Sequence, residues 1–210
     1  MLSPEDRERV RAAVAAAEKD LAAEIVPCVF AQSSPYPETV WAGAAAGAAL
    51  ACAGLFAADL LRPPWEPLTA LILWVPAAGL VGAALGRWCA PVKRFLLGPH
   101  RMEEAVSRRA KEVFFDRGVA ATKARDGVLI YAGVLERRVV VLSDTGVRAK
   151  VRAEAWAPVV RTLTAAAGDG RVADALVAAV AEAAKVLREA GFSGRSDDEL
   201  GDAPVDEDGR

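Results

Sequence analysis

The sequence predicts an α/β sandwich, a small sheet covered by helices, interrupted by a two-helix transmembrane hairpin. Three observations predict it. Val40 to Ala58 gives 19 residues without a charge, and Pro67 to Gly86 gives 20. Downstream, VLIYAGV and RVVVLSD are two runs of branched and aromatic residues around the charged corner LERR, which reads as a β-hairpin. Around these segments, apolar residues recur at helical spacing.

The elements follow in chain order. Ser3-Pro4-Glu5-Asp6 resembles a capping box with proline at the first helical position. Val10, Val14, Ala17 and Leu21 then form one apolar stripe. The strand Glu24–Phe30, EIVPCVF, contains Pro27, which lacks an N–H and predicts an edge or bulged strand. The two charge-free runs predict helices at about 40–61 and 67–88, each spanning roughly 30 Å, the hydrocarbon thickness of a bilayer. Trp41, Trp65 and Trp88 bracket the runs, as rings at headgroup depth do. The first run holds ten alanines and is weakly apolar, so the stronger second run carries it into the bilayer. Gly43 with Gly47, and Gly82 with Gly86, are small-xxx-small pairs that permit close helix approach.

After the hairpin, Met102, Val106, Ala110, Val113 and Phe114 mark an amphipathic helix that Gly118 ends. The first strand of the β-hairpin is apolar throughout and predicts burial on both faces. Trp156, Val159, Val160 and Leu163 line one following helix; Val172, Leu176, Val180, Ala183 and Leu187 line the next. The division expected is 1–36 and 98–192 as two pieces of one domain, 37–97 as the membrane insertion, and 193–210 as a disordered tail. That tail carries seven acids against Arg195 and Arg210, a net −5, which leaves +3 on the rest of a chain of net charge −2.

This charge excludes general nucleic-acid binding as a reading. Cys28, Cys52 and Cys89 are odd in number and scattered, so no disulfide framework is expected. Nothing in MLSPEDRERV has signal-peptide character. Arg87, Lys93, Arg94, Arg101, Arg108 and Arg109 follow the second apolar run, whereas the turn between the runs has Arg62 offset by Asp59 and Glu66. The positive-inside rule then predicts a multi-pass inner-membrane protein with both termini cytoplasmic.

Read in order, EIVPCV, DGVLIYAGVLERRVVVLSDTGV, Trp156 and GDGRVADALVAAV resemble the TPM domain family. The hairpin after the EIV strand and the ending DELGDAPV are similar to a bacterial membrane branch of that family. The resemblance implies a TPM-like α/β sandwich. It implies a function among those described for the family: assembly or repair factor, receptor partner, acid phosphatase or calcium binder. It also implies cleft acids after the second hairpin strand, including an aspartate downstream of a glycine. Here that stretch reads DTGVRAKVRAEAW, so Asp144 precedes Gly146, and the expected position falls near Ala153 or Glu154. Asp144 and Glu154 are therefore the candidate metal residues, with calcium the implied ion. Their plain reading is an acid closing the hairpin and an acid early in a helix, where the helix dipole favours it.

No Cys-x5-Arg, paired DxD or Gly-rich phosphate loop accompanies them. His100 reads as an interfacial residue, and Arg137 and Arg138 as a solvated corner. With no catalytic pair visible and no cofactor expected, the first reading is a non-enzymatic accessory or assembly factor, with the lipid bilayer and other membrane proteins as partners. The second is a metal-dependent phosphatase. Convergence of Glu24, Asp126, Asp144 and Glu154 in one pocket would favour the second.

Overall fold

The structure, a computed structural model, describes residues 2–61, 67–167, 171–194, 200 and 203–206. The chain divides into two units: Met1–Ser34 with Glu103–Arg210, and Pro35–Met102. The division falls a few residues from the boundaries expected at 36/37 and 97/98.

The first unit is built on a sheet of four strands in the order β3-β2-β1-β4. Here β1 is Glu24–Phe30, β2 Gly127–Gly133, β3 Arg138–Ser143 and β4 Val205–Asp206. β1 and β2 are parallel, in register from Glu24↔Gly127 to Phe30↔Gly133, and β2 and β3 form the antiparallel hairpin. Parallel strands need a long crossover, and the entire second unit lies within this one. The insertion therefore interrupts no ladder.

Alternation along the two central strands sorts the core into two layers. Ile25, Val29, Val128, Ile130 and Ala132 join the layer of α1 (Pro4–Glu18), α6 (Ala157–Ala167) and α7 (Val172–Glu189). Val26, Cys28, Phe30, Leu129 and Tyr131 face Val106, Ala110, Val113 and Phe114 on the opposite side. Helices thus cover both faces, as so apolar a strand pair requires. The capping box forms: the Ser3 hydroxyl accepts from Asp6 N at 3.1 Å, and Asp6 Oδ2 accepts from Ser3 N at 3.3 Å. The Ser3 hydroxyl, donating to Asp6 Oδ2 at 2.8 Å, and the Ser3 N–H together hold the Asp6 carboxyl below its ordinary pKa.

Two expectations are corrected. β1 is not an edge strand, because β4 pairs with it in parallel at Cys28↔Val205 and Val29↔Asp206. Next to Pro27 that flank has no partner among the described residues, so β1 is edge-like only where the proline stands. By the same pairing the stretch 193–210 is not uniformly disordered: Ser193 bridges Leu21, and buried Val205 adds to the sheet. Apolar Val205 gains a covered position beside Cys28, which composition averaged over an acidic tail conceals. The tail acids Asp197, Asp198, Glu199, Asp202, Glu207 and Asp208 lie outside the described residues. So do Arg62, Trp65 and Glu66 of the turn between the apolar runs. The sequence reading also missed α5 (Thr145–Arg148) and the 3-10 turn Ala153–Trp156, both too short to show a period.

The second unit is an antiparallel pair, α2 (Glu38–Leu61) and α3 (Pro67–Trp88). Its backbones touch. A Cβ at Gly43 would overlap the Gly82 carbonyl oxygen, one at Gly82 the Gly43 oxygen, and one at Gly86 the Thr39 oxygen. The Thr39 hydroxyl lies 2.8 Å from Gly86 O and 2.9 Å from Tyr36 O. The outward side chains, among them Leu50, Phe56, Ile72 and Leu80, are exposed. The run Ala90–Asp116 is two helices meeting at Gly98, whose φ of 68° and ψ of 166° no L-residue adopts comfortably. The stretch Ala90–Asp116 is called α4.

Candidate functional site

Polar groups collect at both ends of the central strand pair. At the end where β1 and β2 begin, Glu24 sits in register with Gly127, Asp126 precedes Gly127, and Asp144 N donates to Gly127 O at 2.9 Å. All three acids are buried. Asp144 caps α5: its Oδ1 accepts from Thr145 N at 2.6 Å. Its buried Oδ2 makes no hydrogen bond and lies 3.7 Å from the Arg125 guanidinium. Arg125 is held in place by φ 58° and by donating to Ala120 O at 2.7 Å. Asp126 N donates to the Thr122 hydroxyl at 3.2 Å. The Arg125 loop presses onto Gly146, whose N donates to Arg125 O at 2.9 Å and where a Cβ would lie 2.6 Å from that oxygen.

The sheet brings three of the four acids to one end, but their carboxylates do not close around one point. Among the described residues, no group of three His, Cys, Asp or Glu side chains is placed to hold a metal ion. Glu154 stands apart from the three, exposed in the first turn of a 3-10 segment. The donor set required for calcium, several converging oxygens, is not assembled from these residues. Of the two candidates, Asp144 has the geometry of a helix cap with a cation beside it. Glu154 has that of a solvated acid.

At the other end a second cluster appears that sequence reasoning missed. The Tyr131 hydroxyl donates to Ser33 Oγ at 2.9 Å, and Ser33 N donates to Glu136 Oε1 at 2.8 Å. All three residues are buried. Phe30 stacks on Tyr131 with ring centroids 5.4 Å apart, and the Arg109 guanidinium lies 5.2 Å above Phe30. Burial, with the Glu136 carboxylate adding to it, pushes the Tyr131 phenol well above its ordinary pKa. Tyr131 is thus a neutral donor at physiological pH, not a phenolate nucleophile. The corner LERR is only partly solvated: Glu136 turns inward, and Arg138 pairs with Glu103 at 3.3 Å. The signal available in the sequence was a lone tyrosine in an otherwise apolar strand, since a buried hydroxyl needs a partner.

Burial also pushes the Cys28 thiol up, to about 12. Cys28, Cys52 and Cys89 are all free. Cys28 at that pKa is an inert core residue.

Comparison with known proteins agrees with this geometry. The TPM domain profile matches residues 95–186. No curated protein matches the chain. A solution structure of the BA42 protein from the psychrophilic bacterium Bizionia argentinensis shares the fold. The TM-score is 0.58 at 17% identity, over 98% of this chain and 95% of that one. Residues 95–186 thus match the TPM domain, and the layered sheet has the fold of the BA42 protein.

Proposed function

We propose that the chain is a membrane-embedded TPM-domain protein acting as a non-enzymatic accessory or assembly factor for other membrane proteins. One observation carries the membrane part. α2 and α3 have the length and composition of spans, and only 0% and 6% of their most apolar windows are buried. A core helix of a soluble protein would be covered instead. The hairpin occupies the crossover of a sheet complete without it, the arrangement of a folded module anchored to the bilayer. Arginine and lysine after α3 orient it with both termini in the cytoplasm, at the inner membrane.

The accessory part is supported by the character of the two polar clusters. Asp144 caps a helix beside Arg125, and Tyr131 holds its proton. Each is employed in fixing the backbone, and neither has the form of a nucleophile with an adjacent base. The test is photo-crosslinking in native membranes followed by purification of the chain. Specific membrane-protein adducts are expected, and they are expected to be lost when the TPM unit is unfolded by Leu176→Ala. Aryl phosphate hydrolysis with divalent metals, abolished by Asp144→Asn, would instead establish the phosphatase reading that the acids at one sheet end suggest.

A further inference from the structure

The helix of α3 does not stop where its apolar run stops. Cys89 N donates to Leu85 O at 2.9 Å, and Lys93 N to Cys89 O at 2.9 Å. The backbone therefore carries on helically past Trp88 and ends at Gly98. Residues 67–97 would span roughly 45 Å as a helix, against roughly 30 Å of hydrocarbon. About two turns thus lie at and beyond the bilayer surface.

Those turns are not built like a solvated helix end. Trp88 is 76% exposed and Phe95 86% exposed. They stand seven residues apart, which returns to the same helix face. Arg87 and Arg94, also seven apart, form the adjacent stripe. Among the described residues neither arginine makes an ion pair, whereas nearby Arg101 is held by Glu38 at 3.0 Å and lies 5.9 Å over Tyr36. Trp41 of α2, 76% exposed, stands at the same end, because Gly43 meets Gly82 and Gly86 across the pair. Two guanidinium groups without ion pairs, Arg87 exposed and Arg94 half-buried, thus stand beside a ledge of aromatic rings, directly continuous with an apolar span.

We infer that the Arg87–Arg94 stripe, flanked by Trp88 and Phe95, binds the phosphate headgroup of an anionic glycerophospholipid. The inference rests on the membrane reading above. The Trp88 ring settles at headgroup depth and fixes the height of the helix, with the Phe95 ring exposed on the same face. The guanidinium forks then face lipid phosphates, which they can engage with two donors each. An anionic surface attracts each such residue by roughly fivefold in partition.

The full chain would be reconstituted in phosphatidylcholine vesicles containing a minor fraction of phosphatidylglycerol, with brominated acyl chains on one lipid or the other. Tryptophan quenching by brominated phosphatidylglycerol is expected to exceed its mole fraction severalfold. That excess should fall stepwise in Arg94→Gln and vanish in Arg87→Gln/Arg94→Gln. It should be reduced but still exceed mole fraction in Arg87→Lys/Arg94→Lys, which keeps the charge and loses the fork, and persist in full in Arg161→Gln/Lys185→Gln, which removes the same charge from the other unit. Quenching proportional to mole fraction in the unmodified chain would overturn the headgroup site and leave the membrane reading standing. So would an excess that survives the double glutamine variant. Failure of the unmodified chain to float with vesicles of either composition would overturn the membrane reading itself, and this inference with it.

Discussion

Tyr131 and Cys28 lie on the same face of neighbouring strands, and both are protonated because burial denies their anions water. Removing the hydroxyl in Tyr131→Phe takes away one buried hydrogen bond and leaves Ser33 Oγ without its donor. A loss of about 1–3 kcal/mol is expected, read by denaturant titration. The raised thiol pKa has a definite sign in stability. The unfolded thiol loses its proton from about 9.0 upward and the folded one only near about 12. Stability from this group is therefore full below pH 9.0 and lost as pH rises towards 12. Thermal melts between those limits are expected to decline less steeply in Cys28→Ala than in the unmodified chain. An equal slope in both would mean that Cys28 titrates normally.

At the level of elements, the α2–α3 pair depends on the absence of side chains. Gly82→Leu would drive a side chain into the Gly43 carbonyl, and cost about 1–3 kcal/mol of packing through overpacking. A Cβ at Gly79 would lie 3.9 Å from the Ala48 Cβ, within the disulfide range of about 3.5–4.5 Å. The pair Ala48→Cys/Gly79→Cys, with Cys52 and Cys89 replaced by serine, is expected to oxidise readily in reconstituted membranes. Adding Gly82→Leu is expected to cut the yield sharply; an unchanged yield would refute the close packing. In the other unit, β1 and β2 are both central: loss of β1 removes a partner from β2 and β4.

For the whole molecule, the chain leaves the TPM unit and returns to it beside the same corner. Ser33 is bound to Glu136, and Glu103 pairs with Arg138 two residues further on. The hairpin is thus a detour between neighbouring points. Joining Ser34 to Glu103 through a short Gly/Ser linker is expected to give a soluble, cooperatively melting domain, since closure depends only weakly on loop length. A chain beginning at Glu103 lacks α1 and β1, and is expected to show no cooperative melt. If it melts as the joined chain does, the N-terminal piece is not part of the domain.

The sequence by itself determined the elements whose pattern is local. The capping box at Ser3, the apolar strands and the two helices that hold the charge-free runs each follow from backbone preference or from contact with apolar surroundings, and each stands where the sequence pattern placed it. Tertiary structure alone decided what depends on distant partners. Pro27 read as an edge marker until β4 arrived from the other end of the chain and paired beside it. The corner at Arg137 and Arg138 read as solvated, and nothing local showed that Ser33 N, 103 positions away in sequence, draws the neighbouring Glu136 inward. Asp144 closing the hairpin and Glu154 early in a helix were legible as plain local roles, but that Asp144 is buried beside Arg125 depended on the fold. The physical reason is the same in each case. A residue's own chemistry fixes what it can bond, but the fold decides which partner is within reach and whether water competes for it.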